Sequence, residues 1–233
     1  MSGAIAITWI VTLTEMELSQ FRIVRIAGNL QHRCKECYKR EIVMAYVDDF
    51  KEAIIRTRRL QLAQPVDLCE MHTRIMNDKR IRHLGGIIRP VLDLNSGYEQ
   101  LVARCMPVHL QARPLVEEWL GCPVYFTLGW IDDGTPKGMF RFDEDFITDT
   151  LKNGYTGDTV NLHAWLTLPS MEIIDITLST TISMLQGHKN QLGGVIIKRA
   201  DDIKGFSYKP MLIGDEFLSK SGILHKFTYL ELN

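Results

Sequence analysis

The stretch NLHAWLTLPSMEIIDIT, residues 161–177, constrains the fold more than any other part of this chain. Leu162, Ala164, Leu166 and Leu168 alternate with His163, Trp165 and Thr167. Beyond Pro169-Ser170-Met171, Ile174, Ile176 and Leu178 alternate with Ile173, Asp175 and Thr177. A period of two predicts two strands joined by a three-residue loop, with the even positions on the core face and the odd positions on the other. That loop pairs Leu168 with Glu172 and His163 with Thr177. Asp175 then becomes the diagonal neighbour of His163 on one face. A carboxylate beside an imidazole fixes its tautomer and stabilises the imidazolium. What such a pair lacks is a nucleophile.

Cys105 is the candidate. In CMPVHLQARPLVEEWLG the apolar residues Val108, Ala112, Leu115, Val116 and Trp119 recur at helical spacing, and Gly121 suits a helix end. Cys105 therefore falls at a helix start, where the macrodipole and unpaired N–H groups favour a thiolate and can hold a developing oxyanion. Pro107 is tolerated in a first turn, whereas Pro114 predicts a kink. VYFTLGWI reads as the next strand. Trp165 either lines a pocket or packs. His109, one turn after Cys105, is a rival base. A buried cysteine is most often a small hydrophobe, and Cys122 is read that way.

The order of cysteine at a helix start, strand, HAW, turn and DIT resembles the transglutaminase-like branch of the papain-like cysteine enzymes over roughly residues 98–180. The resemblance implies Cys105 as nucleophile, His163 as general base and acid, and Asp175 as orienter, and it makes Gln100 a candidate oxyanion donor, the part a glutamine plays in papain-like sites. It also implies an α+β fold, with a transglutaminase-like helix packed on an antiparallel sheet. The activity implied is thiol-dependent acyl chemistry on a protein or peptide amide: a protease, amidase, deamidase or transglutaminase. Arg104 before the cysteine and Pro114 within the helix depart from the family's usual pattern.

A second constellation lies upstream. CKEC (Cys34, Cys37) and CEMH (Cys69, His72) supply thiolate and imidazole ligands at spacings suited to a structural Zn²⁺. The second knuckle opens CEMHTRIMNDKRIRHL, read as a helix, and EIVMAYV between the knuckles is read as a strand. Residues 30–84 thereby resemble a treble-clef zinc finger. We divide the chain into residues 1–84, an N-terminal strand (AIAITWIVTL) with a zinc module, and residues 85–233, the enzyme domain. Residues 83–97 read as a connection containing a short strand. Residues 133–159 read as a long acidic insertion that shapes substrate access or simply loops over the surface.

Charge supports the division: residues 1–90 hold 15 Lys/Arg against 10 Asp/Glu, and residues 91–233 hold 12 against 18. The asymmetry is too mild to predict a nucleic-acid partner. Arg56, Arg58 and Arg59 form a local basic cluster, either a solvated face or a phosphate or partner contact. Five cysteines cannot all pair, and no secretory signal or membrane span is legible, so the expectation is a cytoplasmic protein without a membrane partner. The alternative from another class is a non-catalytic, zinc-bearing module that binds protein or nucleic acid. A redox protein using Cys34 and Cys37 is a further rival.

Overall fold

A computed structural model describes residues 45–63, 68–92, 97–188 and 192–225. The expected strand over AIAITWIVTL, and Cys34 and Cys37, lie outside them. The architecture is α+β. Strands β1 (Tyr125–Asp132), β2 (His163–Thr167), β3 (Glu172–Asp175), β4 (Ile196–Arg199) and β5 (Ser207–Ile213) form one antiparallel sheet in the order β4-β3-β2-β1-β5. β2 and β3 pair Leu166 with Ile174 and Thr167 with Ile173, the register that the alternation predicts. Their loop closes through Met171, whose φ of 59° is the left-handed turn residue of a three-residue hairpin connection. Pro210 lies on β5, an edge strand, where its missing N–H is tolerated.

Both faces of the sheet are covered, which corrects the one-sided burial expected from the hairpin. On one side Leu128, Ala164, Leu166 and Ile174 pack with Met106, Val108, Ala112 and Val116 of helix α3 (Cys105–Leu120) and with Ile81 and Leu84 of α2 (Asp78–Ile88). On the other side Tyr125, Trp165, Ile173 and Ile213 pack with Tyr46, Phe50, Ala53 and Ile54 of α1 (Tyr46–Arg59). Each large apolar side chain so buried contributes about 1.5–3 kcal/mol. Helix α1 occupies part of what reads in sequence as a strand, EIVMAYV. Tyr46, Phe50, Ala53, Ile54 and Thr57 recur on one helical face, with Asp48 and Asp49 in the first turn and three arginines in the last.

The segment opened by Cys69, expected to be helical from its start, is irregular up to Asn77. α2 begins at Asp78, because the Asn77 side chain caps the Arg80 N–H at 3.0 Å and the N–H groups of Ile75 and Met76 donate to Glu172 instead of to a helix. Residues 83–88, expected in a connection with a short strand, belong to α2; Ile81, Leu84 and Ile88 bury one face and outweigh the cost of Gly85 and Gly86. The insertion 133–159 contains a helix, α4 (Glu144–Asn153), whose N–H of Phe146 is capped by Asp143. α3 runs unbroken through Pro114. Helix α5 (Leu178–Leu185) follows β3, and α6 (Glu216–Lys220) follows β5. No helix among the described residues is long and apolar enough to cross a membrane.

Candidate active site

Cys105, His163 and Asp175 lie where the first turn of α3 reaches the start of β2 and the end of β3. His163 Nε2 lies 2.6 Å from Asp175 Oδ2. With that nitrogen committed, Nδ1 is the ring nitrogen left to serve Cys105, whose sulfur is among the groups that raise the His163 imidazole. Cys105 Sγ also sits 3.9 Å from the carbonyl oxygen of Leu162. No side chain caps α3 at Arg104, so the first-turn N–H groups beside the sulfur are not used up by a cap. Ala103, two residues upstream, holds φ at 61°, a left-handed conformation that an alanine adopts only where the surroundings impose it.

Asp175 is wholly buried and fully coordinated. Oδ1 accepts from the N–H groups of Thr177 and Leu178, each at 3.0 Å, and from the Thr177 hydroxyl at 3.4 Å. Oδ2 accepts from His163 and, at 2.9 Å, from the phenol of Tyr208. Burial alone would raise its carboxyl; the facing imidazolium and these donors outweigh burial and hold it well below the usual carboxylate range. Burial likewise pulls the His163 imidazole down, but the Asp175 charge and hydrogen bond overcome it and raise His163 to about 10. The pair is therefore held as imidazolium and carboxylate across the neutral range.

The imidazole is clamped between two aromatic rings. Phe140 stacks at 5.2 Å on one side and Trp165 at 5.9 Å on the other. Trp165 is itself fixed by a one-way relay of donors. Its Nε1–H donates to the Tyr46 hydroxyl at 2.9 Å, Tyr46 donates to Thr167 at 2.8 Å, and Thr167 to Thr127 at 2.9 Å. Thr127 ends the relay on the backbone carbonyl of Tyr125, which can only accept and so sets the direction of every bond before it. Gly129, cross-strand partner of His163, makes room for this ring: a Cβ there would meet the Trp165 ring at 2.5 Å and the Lys209 carbonyl oxygen at 2.1 Å. Phe140, from the segment between β1 and α4, has φ of 60°, a second strained residue flanking the site. His163 is 2% exposed and Cys105 8%, so the site is closed in this state.

His109 is not a free base. Its Nε2 accepts the Ile176 N–H at 2.9 Å, so its proton is on Nδ1, which donates to the Cys105 carbonyl at 2.7 Å. It thus ties the first turn of α3 to the end of β3 as a neutral strut. Burial, outweighing the attraction of Asp175, lowers it to about 4. A histidine whose value falls on folding stabilises the fold above its unfolded value near 6.5, and loses that contribution as pH falls toward 4. We expect the wild-type protein to lose on the order of 2 kcal/mol of unfolding free energy between pH 6.5 and 4.5 relative to His109→Gln, which keeps both bonds but cannot titrate. Urea denaturation at the two pH values measures it; parallel losses in both proteins would refute the strut's role.

The other expected site residues are placed as follows. Gln100 lies on the turn Tyr98–Leu101 and lines a cleft with Tyr98, Leu92, Arg104 and Val108; the structure records no hydrogen bond from it to Cys105. Trp165 is wholly buried and stacks on His163. Cys122 is half-buried in the turn between α3 and β1. Cys69 and His72 sit exposed in the irregular segment before α2, and among the described residues no group of three potential ligands gathers. Arg56 and Arg59 of the basic cluster pair with Glu144 of α4, Arg56 at 2.6 Å. Sequence reasoning missed Tyr208 and Phe140: neither stands in a motif, and both arrive from segments distant in the chain. Comparison with protein families, with characterised proteins and with solved structures finds no match to this chain.

Proposed function

We propose that the protein is a thiol-dependent acyl enzyme of the transglutaminase-like kind, acting on a protein or peptide amide through Cys105, His163 and Asp175. The observation that carries this reading is one imidazole standing between a helix-start cysteine and a buried, fully coordinated aspartate. A carbonyl carbon presented to Cys105 is attacked by its thiolate; first-turn N–H groups of α3 hold the oxyanion. As the C–N bond breaks, His163 Nδ1 gives its proton to the leaving amine. The acyl group then passes to water, which His163 deprotonates, or to a second amine. We favour water, because it needs no second substrate site. Because His163 and Cys105 are buried under this stack, the reading requires Phe140 to move off His163 for substrate to enter.

Limiting iodoacetamide with peptide mapping tests the reading. Cys105 should be labelled first among the five cysteines, and His163→Ala should remove that preference. Labelling of Cys105 no faster than in the unfolded chain would sink the enzyme reading and leave the binding module.

The reading extends to a structural zinc held by Cys34, Cys37, Cys69 and His72. The exposed thiol and imidazole of Cys69 and His72 suit that metal, and four protein ligands leave no position for catalysis. Purified protein should carry stoichiometric zinc and lose it in Cys69→Ser and His72→Ala; full zinc in both variants removes these two from the ligand set.

A further inference from the structure

Tyr208 reaches Asp175 from the far side of the sheet. It stands on β5, an edge strand separated from β3 by β1 and β2, yet its hydroxyl donates to Asp175 Oδ2 at 2.9 Å. The choice of oxygen matters. Oδ1 is taken by donors from the adjoining turn, Thr177 and Leu178, which anchor the carboxylate to its own strand end. Tyr208 shares the other oxygen with His163 Nε2, the oxygen through which Asp175 acts on the imidazole. The ring is wholly buried and tilted against Trp165 at 4.9 Å, and Trp165 in turn stacks on His163, so Tyr208 is held in register with the clamped imidazole. Among the described residues, the titratable groups facing this pair are Cys105 and His109 from α3, Tyr46 from α1 and Tyr208 itself.

Resting on the acyl-enzyme reading, we propose that Tyr208 is a positioning residue of this site: its phenol takes up part of the charge on Asp175 Oδ2 and limits how strongly the carboxylate stabilises the His163 imidazolium. The physical need is plain. A buried carboxylate bound to one imidazole alone holds the imidazolium so firmly that its Nδ1 proton is poorly given up to a leaving amine, since a general acid works best near the operating pH. A second donor on the same oxygen weakens that hold without removing the orientation.

Tyr208→Phe deletes only the hydroxyl and keeps the ring against Trp165. The measurement is direct: in protein labelled with ¹³C at histidine Cε1, the His163 resonance is assigned by its absence in His163→Gln and titrated by NMR. At the pH where wild-type His163 is half protonated, Tyr208→Phe should be roughly nine-tenths protonated, a shift on the order of one pH unit for loss of one hydrogen bond to a charged group. A fraction still near one half, or below it, overturns the proposal, even if the variant melts earlier, because a merely packed tyrosine would change stability and leave the titration in place. The two readings fail separately. Iodoacetamide labelling of wild-type Cys105 that does not depend on His163 sinks the acyl chemistry; intact labelling with an unmoved titration sinks Tyr208 alone.

Discussion

Asp175→Asn should leave the protein folded and slow iodoacetamide labelling of Cys105 on the order of 100-fold at pH 6, where an ordinary thiol is only about 0.3% thiolate. The reason is geometric. Asn Oδ1 can keep the bonds from the Thr177 and Leu178 N–H groups that Asp175 Oδ1 now accepts. The amide nitrogen then takes the place of Oδ2 and offers hydrogens to His163 Nε2 and to the Tyr208 hydroxyl. Nε2 becomes the acceptor, the ring proton moves to Nδ1, and the nitrogen facing Cys105 can no longer take a proton from it. For amide substrates the same change should cost on the order of 10⁴ in kcat. Circular dichroism and melting temperature report the fold; alkylation at the wild-type rate in a folded variant would remove Asp175 from the role of orienter.

The largest effect on stability should come from a residue outside the triad. Glu172, at the start of β3, is wholly buried and gathers the segment before α2. Its carboxylate accepts from the N–H of Ile75 at 2.6 Å, the N–H of Met76 at 3.1 Å, the Ser170 hydroxyl at 2.6 Å and Arg74 Nε at 3.0 Å. A further bond runs from the Met71 N–H to the Pro169 carbonyl at 2.9 Å, so this segment is fastened to the turn of the β2–β3 hairpin. Glu172→Ala strands two buried backbone donors and a hydroxyl and should lower unfolding free energy by about 3–5 kcal/mol. That is a large share of the 5–15 kcal/mol typical of a domain. Glu172→Gln keeps an acceptor and should cost about half as much. Urea denaturation distinguishes them; a loss under about 1 kcal/mol in the alanine variant would show that water replaces the carboxylate. Because the hairpin carries His163 and Asp175, loosening its turn should also slow Cys105 labelling.

The parts of this molecule legible in sequence are those governed by near neighbours. The alternation over 162–178 sets the β2–β3 register, because a slip of one residue would turn every buried side chain to the wrong face. The spacing from Val108 to Trp119 and the glycine at 121, with φ of 67°, set the extent of α3. Together these place His163 and Asp175 as cross-strand neighbours and Cys105 at a helix start. The sequence reading went astray where local signals were weak or were overridden. EIVMAYV is as apolar as a strand, yet its last residues open a helix whose buried face is visible only once the sheet it covers is known. Cys69 and His72 stand at helical spacing, but the N–H groups that would continue such a helix are taken by Glu172, almost a hundred residues further on.

By itself, then, the sequence determined a hairpin with an imidazole and a carboxylate on one face, a cysteine-led helix and the strand between them, because periodicity and capping act over a few residues. Only the tertiary structure decided what surrounds them: both faces of the sheet buried, His109 neutral and spent as a strut, the imidazole clamped by Phe140 and Trp165, and Tyr208 on the far side of Asp175. Those relations join segments tens of residues apart, and their energies depend on burial and on which donor reaches which oxygen. Neither quantity exists in a chain until it has folded.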